Sequence, residues 1–288
     1  MKRSFLSKLH TNGVYYLIGA LLLLIGVPLY QFAILNPEGY NTALATVSKG
    51  TFTTYLLWLH THPGQFLGYR VLLIVPFALL LSLPFTLFRI IVAQEILGLE
   101  DVVQEEIVQT EETTVADKEN DSEDSDRDEQ ADDGMPPHAW RGRGFAVLAA
   151  WAGVAGVIFF TVGTALSTLY LFIVGSSFNN HEAVQGAFAS LSSTFDILTY
   201  TVGGGLLAVA LLFFGAIIAS RGRHLWPTIW VVFSYLAIAG AALLSGSAVA
   251  VASAPAEGQA ALTSPAILVF ALWVLWLGVM LVRLKPEL

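Results

Sequence analysis

Six runs of apolar residues, each close to the length that crosses a lipid bilayer, divide this chain. A helix needs about 20 mostly apolar residues to span a hydrocarbon core roughly 30 Å thick. Runs of that kind occupy about residues 14–35, 71–93, 145–174, 195–219, 226–250 and 265–282. A single-chain barrel would instead alternate apolar and polar residues in strands of about ten. The runs therefore predict an all-α fold, a polytopic transmembrane helix bundle of six spans in contact with the lipid bilayer. Two shorter apolar stretches, Tyr55 to Leu59 and Ala183 to Leu191, are too short to cross and read as interfacial or re-entrant pieces.

Composition agrees. Apolar residues make up 55% of the 288 and charged residues only 12%, about half the charged share of a soluble globular domain. A soluble enzyme of ordinary composition is excluded, and so is a basic nucleic-acid-binding domain. With no cysteine in the chain, disulfides, thiolate metal sites and a catalytic thiol are excluded too.

The formal charge of −8 averages two unlike objects. Seventeen of the 22 carboxylates fall between Glu95 and Asp133, with only Lys118 and Arg127 among them, so that window carries −15 and the rest of the chain +7. The organisation that follows is a first transmembrane hairpin over residues 1–93, an acidic insertion over 94–140 and a four-span region over 141–288.

Lysine and arginine stay preferentially on the cytosolic side during insertion. With six spans, the amino terminus, the second and fourth connections and the carboxy terminus share one side and hold 12 basic residues, against Lys49 and Arg70 on the other. The expectation is a cell-membrane protein with both termini cytosolic. Ala43-Leu44-Ala45 has the look of a signal cleavage site, but the first apolar run of about 22 residues exceeds the roughly 7–15 of a signal peptide, so an uncleaved anchor is expected.

Within the insertion, Ile96, Leu99, Val103 and Ile107 recur at spacings of three and four, which puts them on one face of a helix. Acidic residues interleave them, so an anionic lipid surface would repel this helix and a protein partner suits the stripe better. Residues 111–134 hold almost no large apolar side chain and are expected to be disordered. Asp124-x-Asp126-x-Asp128 starts like a calcium loop, but Glu129 and Met135 stand where glycine and a bidentate carboxylate are required. The acidity, with nine arginines to five lysines, resembles the composition of proteins from salt-loving archaea. The helix pattern is similar to that of many six-span prokaryotic proteins, with no specific motif to match.

Ionisable groups inside a span are functional candidates by default. Arg70 and Asp196 lie at matching depth on the outer side. They suggest an ion pair between spans two and four, or a substrate site built with Thr199, Tyr200 and Thr201. Arg89 is expected to snorkel to the cytosolic headgroups. Thr161, Thr164, Ser167 and Thr168 are expected to bond within or between helices. His60, His62 and His181 with Glu182 are weak candidate metal ligands, more simply read as interfacial residues. No P-loop, His-Glu-x-x-His, nucleophile elbow or dinucleotide fingerprint occurs, and no cofactor is indicated. Small residues, namely Ala149, Gly153 and Gly156, the Gly203–Gly205 triplet, and Ala237, Ala241, Gly246 and Ala250, predict that spans three to five form the tight core. The function expected is that of a non-enzymatic structural, accessory or regulatory component acting through protein partners, with homo- or hetero-oligomers open. The alternative is a small-molecule or ion transporter or channel with its site near Asp196.

Overall fold

The structure, a computed structural model, describes residues 3–47, 50–93, 139–178, 182–225, 228–253 and 263–283. Every regular element among them is helical. Six helices are long and apolar enough to cross a membrane: Ser7–Leu35, Pro63–Ala93, Gly144–Ser176, Ser190–Ser220, Thr228–Ser253 and Ser264–Arg283. The protein is thus a six-helix bundle of multi-pass type. The stripe of Ile96, Leu99, Val103 and Ile107 and the acidic segment after it lie outside the described residues.

Several helices run past the apolar runs that announce them. The second begins at Pro63 rather than near Val71, because proline suits the first turn of a helix and Phe66, Tyr69 and Arg70 pack there against one another and the cap. Its two inner prolines act differently. Pro76 sits inside the helix Pro63–Leu79 and is followed by a 3-10 turn over Leu80–Ser82. Pro84 then occupies the first turn of the restarting helix, where a missing N–H is tolerated. The stretch from Ala183 to Leu191 is no separate piece. It belongs to the helix Glu182–Asp196, which runs through a π-helical segment, Ile197–Gly203, into Gly204–Leu225 without leaving helical backbone angles.

Each span packs on the next in sequence and the first packs on the sixth, closing a ring. Lipid tails are as apolar as leucine, so close backbone approach holds such helices together. Spans three, four and five are joined as their small residues predict. A Cβ on Gly156 would lie 2.8 Å from the Leu207 amide nitrogen, one on Gly203 2.8 Å from that of Phe160, and one on Gly215 2.9 Å from the Ser234 carbonyl. Close packing also extends beyond these three spans. The first and sixth spans cross as closely at Gly13 and Gly278, where added Cβ atoms would lie 2.8 Å from Leu281 Cβ and 3.0 Å from the Leu17 nitrogen. Leucine runs conceal this contact in the sequence because one glycine per helix suffices.

Aromatic side chains fill the middle of the ring. Phe77 of the second span stacks on Phe160 of the third at 3.9 Å, Phe270 of the sixth lies parallel to Phe77 at 6.0 Å, and Tyr200 of the fourth meets Phe160 edge-on at 5.6 Å. Trp273, 1% exposed, stacks on Phe233 of the fifth span at 4.9 Å. Nearer the end that carries the termini, Tyr16 is fully buried and its hydroxyl lies 2.7 Å from Thr86 Oγ1 and 3.0 Å from Ser82 Oγ. Asn12 Nδ2 donates to Thr86 Oγ1 at 2.9 Å, tying the first span to the second.

Two short helices, Tyr40–Val47 and Thr53–Thr61, form a cap over the opposite end of the bundle. The chain enters the first through Gly39 and leaves it through Gly50, both at positive φ (81° and 75°), a conformation that glycine adopts at little cost. Beneath the cap lies a second apolar cluster that includes Leu35, Tyr40, Tyr55, Trp58, Phe66, Leu171 and Phe188.

Candidate functional site

The cap and the ends of the second and fourth spans enclose one arginine among tyrosines. Tyr40 comes from the first cap helix, Tyr55 from the second, Tyr69 and Arg70 from the second span, and Tyr200 from the π-helical segment of the fourth. Local chemistry fixes the cap. Trp58 Nε1 donates to the Glu38 carbonyl at 2.7 Å, and the Tyr40 ring meets Trp58 edge-on at 4.9 Å and Tyr55 at 6.3 Å. Tyr69 lies 6.0 Å from Tyr40, within the range where aromatic rings attract.

Arg70 is half-buried. Its Cζ stands 5.1 Å from the centre of the Phe66 ring one turn earlier, a cation–π arrangement. The guanidinium acts electrostatically on Tyr55, Tyr40, Tyr200 and Tyr69. Its Nε is enclosed and has no hydrogen-bond partner. Tyr55 lies beside Tyr40 and in the field of Arg70. Burial raises the Tyr55 phenol above its ordinary range, with Arg70 opposing the rise and the Asp196 charge adding to it. Burial pushes the Tyr40 phenol well above its ordinary range, with a further contribution from Tyr55. Loss of water disfavours the charged phenolate, so both phenols remain neutral donors and acceptors at ordinary pH.

Of the residues singled out in the sequence, Arg70 and Asp196 act on Tyr55, and Tyr200 acts on Arg70. The structure sends Thr199 elsewhere: Thr199 is buried against Gly163 of the third span, too close for any side chain at 163. Thr201 Oγ1 donates to the Ala248 carbonyl of the fifth span at 3.0 Å. Three successive residues therefore face three different neighbours, which the wider π turn allows; π segments recur at functional sites. The tyrosines Tyr40, Tyr55 and Tyr69 escape a search for charged groups. Their signal is the rule that a charge near the membrane needs partners, together with the aromatic enrichment of the connection that holds Arg70.

The other candidates are dispersed. Arg89 is exposed at the far end of the second span. His60 Nδ1 donates to the Gly175 carbonyl at 3.0 Å, fastening the cap to the third span. His62 stacks on Trp58 with ring centres 5.1 Å apart and places Nε2 3.2 Å from Glu38 Oε2. The two imidazoles therefore serve separate contacts. Among the described residues no group of three or more histidine, cysteine, aspartate or glutamate side chains is placed to hold a metal. His181 and the Glu182 side chain lie outside what the structure describes. On the third span, Thr161, Thr164 and Thr168 each donate to the carbonyl four residues earlier, at 2.7, 2.7 and 2.6 Å.

Comparison of the chain with protein-family models, with curated proteins and with solved structures finds no match.

Proposed function

We propose that this chain is a non-enzymatic accessory or regulatory component of the cell membrane, with both termini in the cytosol, that acts through protein partners bound at its acidic insertion. The observation that carries this reading is the centre of the ring. Phe77, Phe160, Phe270 and Tyr200 meet there from four different spans, and the hydroxyls beside them on the third span are turned back to their own backbone. A transport path lined by polar groups is normally built from such residues, and here they serve packing. The recognition chemistry then belongs to the ends of the bundle. The acidic, arginine-rich composition suits a prokaryote adapted to concentrated salt, where carboxylates hold hydration.

A second reading rests on the π-helical segment. Tyr200 acts on Arg70, and Arg70 and Asp196 act on the same Tyr55, which supports a transporter or channel with a site near Asp196. One paired experiment separates the two. Deleting residues 111–134 disturbs partner capture from native membranes if the first reading holds, and spares substrate flux under the second. Asp196→Asn combined with Arg70→Gln leaves capture intact under the first reading and abolishes substrate flux in proteoliposomes under the second.

A further inference from the structure

Glu38, in the turn that leads the first span into the cap, is gripped at two points by the end of the second cap helix. Trp58 Nε1 donates to its carbonyl at 2.7 Å, and His62 Nε2 stands 3.2 Å from its Oε2. Trp58 lies on Thr53–Thr61 and His62 caps that helix one turn later, with the two rings stacked at 5.1 Å and 18°. An indole N–H does not titrate, whereas imidazole is the side chain that changes charge near neutral pH. One grip is therefore permanent and the other depends on a proton.

Donor and acceptor accounting separates the two charge states of His62. Its Nε2 faces the carboxylate, and its Nδ1 lies 3.2 Å from the Trp58 carbonyl and 2.8 Å from Thr61 Oγ1. Carboxylate and carbonyl oxygens only accept, so the imidazolium, with a proton on each nitrogen, satisfies both. That ring also covers the face of the Trp58 indole, which attracts a cation, and stands at a helix C-terminus, where the dipole favours positive charge. A neutral ring keeps one proton. With it on Nε2, Nδ1 turns a lone pair toward the Trp58 carbonyl, and the Thr61 hydroxyl must leave the carbonyls of Leu57 and Trp58 to donate to Nδ1. The ion pair with Glu38 is then gone.

Other titratable groups on the surrounding elements are engaged elsewhere. His60, on the same helix, reaches the Gly175 carbonyl of the third span. Tyr40–Val47 carries no charged residue and sets Tyr40 against the edge of Trp58, with Tyr55 and Tyr69 around it. Arg70 lies further along the second span over Phe66, and Tyr170 of the third span packs on Phe188 and Phe195. Among the described residues, Glu38 is the ion-pair partner of His62.

We propose that His62 and Glu38 form a proton-controlled latch on the cap: with His62 charged, the second cap helix is fastened to the turn that begins the first, and loss of the proton loosens the cap. The latch sits at the end of the bundle opposite the termini, so it reads the proton concentration on that side. It stands apart from partner capture at the insertion. Side-chain exposures of 25% and 48% leave the pair partly screened, so it tunes cap opening by a few fold.

The test is amide hydrogen exchange of the full chain in detergent, with protection of Tyr40–Thr61 normalised to intrinsic rates from about pH 5 to 8. Wild-type protection of the cap is expected to fall by up to about fivefold across that range, with a midpoint matching the titration of the His62 ring followed by NMR. His62→Gln and Glu38→Gln should each flatten the dependence, and the second carries the test alone should the first not fold. His60→Gln, which leaves the latch in place, should retain it. Peptides from Thr228–Ser253 should show no such dependence in any of the proteins. A fall as steep in His62→Gln or Glu38→Gln as in wild type would overturn the latch, and so would its absence from the wild type. Loss of the dependence in His60→Gln, with His62→Gln unchanged, would assign the effect to the other imidazole and overturn it equally.

Discussion

Tyr55 shows how one side chain near the membrane boundary joins otherwise separate groups. Its ring lies 6.3 Å from that of Tyr40 and its phenol lies in the opposing fields of Arg70 and Asp196, so it couples the cap to the second and fourth spans. Burial holds both cap phenols above the ordinary value, which is about 10 in unfolded chains. A phenol with a raised folded value contributes stability that is fully present below the unfolded value and is lost as pH climbs through the folded one. The protein in detergent should accordingly keep its unfolding midpoint up to about pH 10 and lose it above. Tyr40→Phe and Tyr55→Phe should each flatten that decline. Thermal melts across the alkaline range read this directly, and melts of the same slope in wild type and variants would show that these phenols do not carry the effect.

At the scale of the helix, fit between backbones decides stability more than apolarity does. Gly13, Gly156, Gly203 and Gly278 leave no room for a Cβ, with neighbouring atoms 2.8 to 3.0 Å away, whereas Gly204 and Gly246 have nothing within 4 Å. Gly278→Val and Gly203→Val should each destabilise by about 1–3 kcal/mol, the usual cost of overpacking. Gly204→Ala should be neutral or stabilise by up to about 1 kcal/mol, since it removes helix-disfavouring backbone freedom. Denaturant melts in mixed micelles distinguish the two groups; equal losses at crowded and open glycines would contradict the packing described. The glycines of spans three to five were legible in the sequence because they cluster. Gly13 and Gly278 were not, since each stands alone among bulky residues and only the closing of the ring brings them together.

For the whole molecule, the apolar runs and the break between them made the architecture legible. Six spans follow from length and hydropathy, because lipid allows a backbone few ways to satisfy its own hydrogen bonds. The helix ends were less legible: Pro63 and Ser190 start their spans several residues before the apolar runs do, since the cap packs against Phe66 and Phe188 beyond those runs. The candidate site was half legible. Arg70, Asp196 and Tyr200 stand out as polar groups at one depth, while Tyr40 and Tyr55 are distant in sequence and reach Arg70 only because Gly39 and Gly50 fold the first connection back over the bundle. Thr199 shows the converse, since the π turn carries a residue adjacent to Tyr200 away toward Gly163.

The role proposed for this aromatic-filled ring is that of a protein that works by holding others. The most direct test is capture of the full-length chain from native membranes in mild detergent, followed by mass measurement of the intact particle. A discrete complex containing a second protein in fixed ratio, dissociated by removal of residues 111–134, is the predicted result. Recovery of the chain alone, together with solute flux through proteoliposomes that Asp196→Asn abolishes, would contradict it.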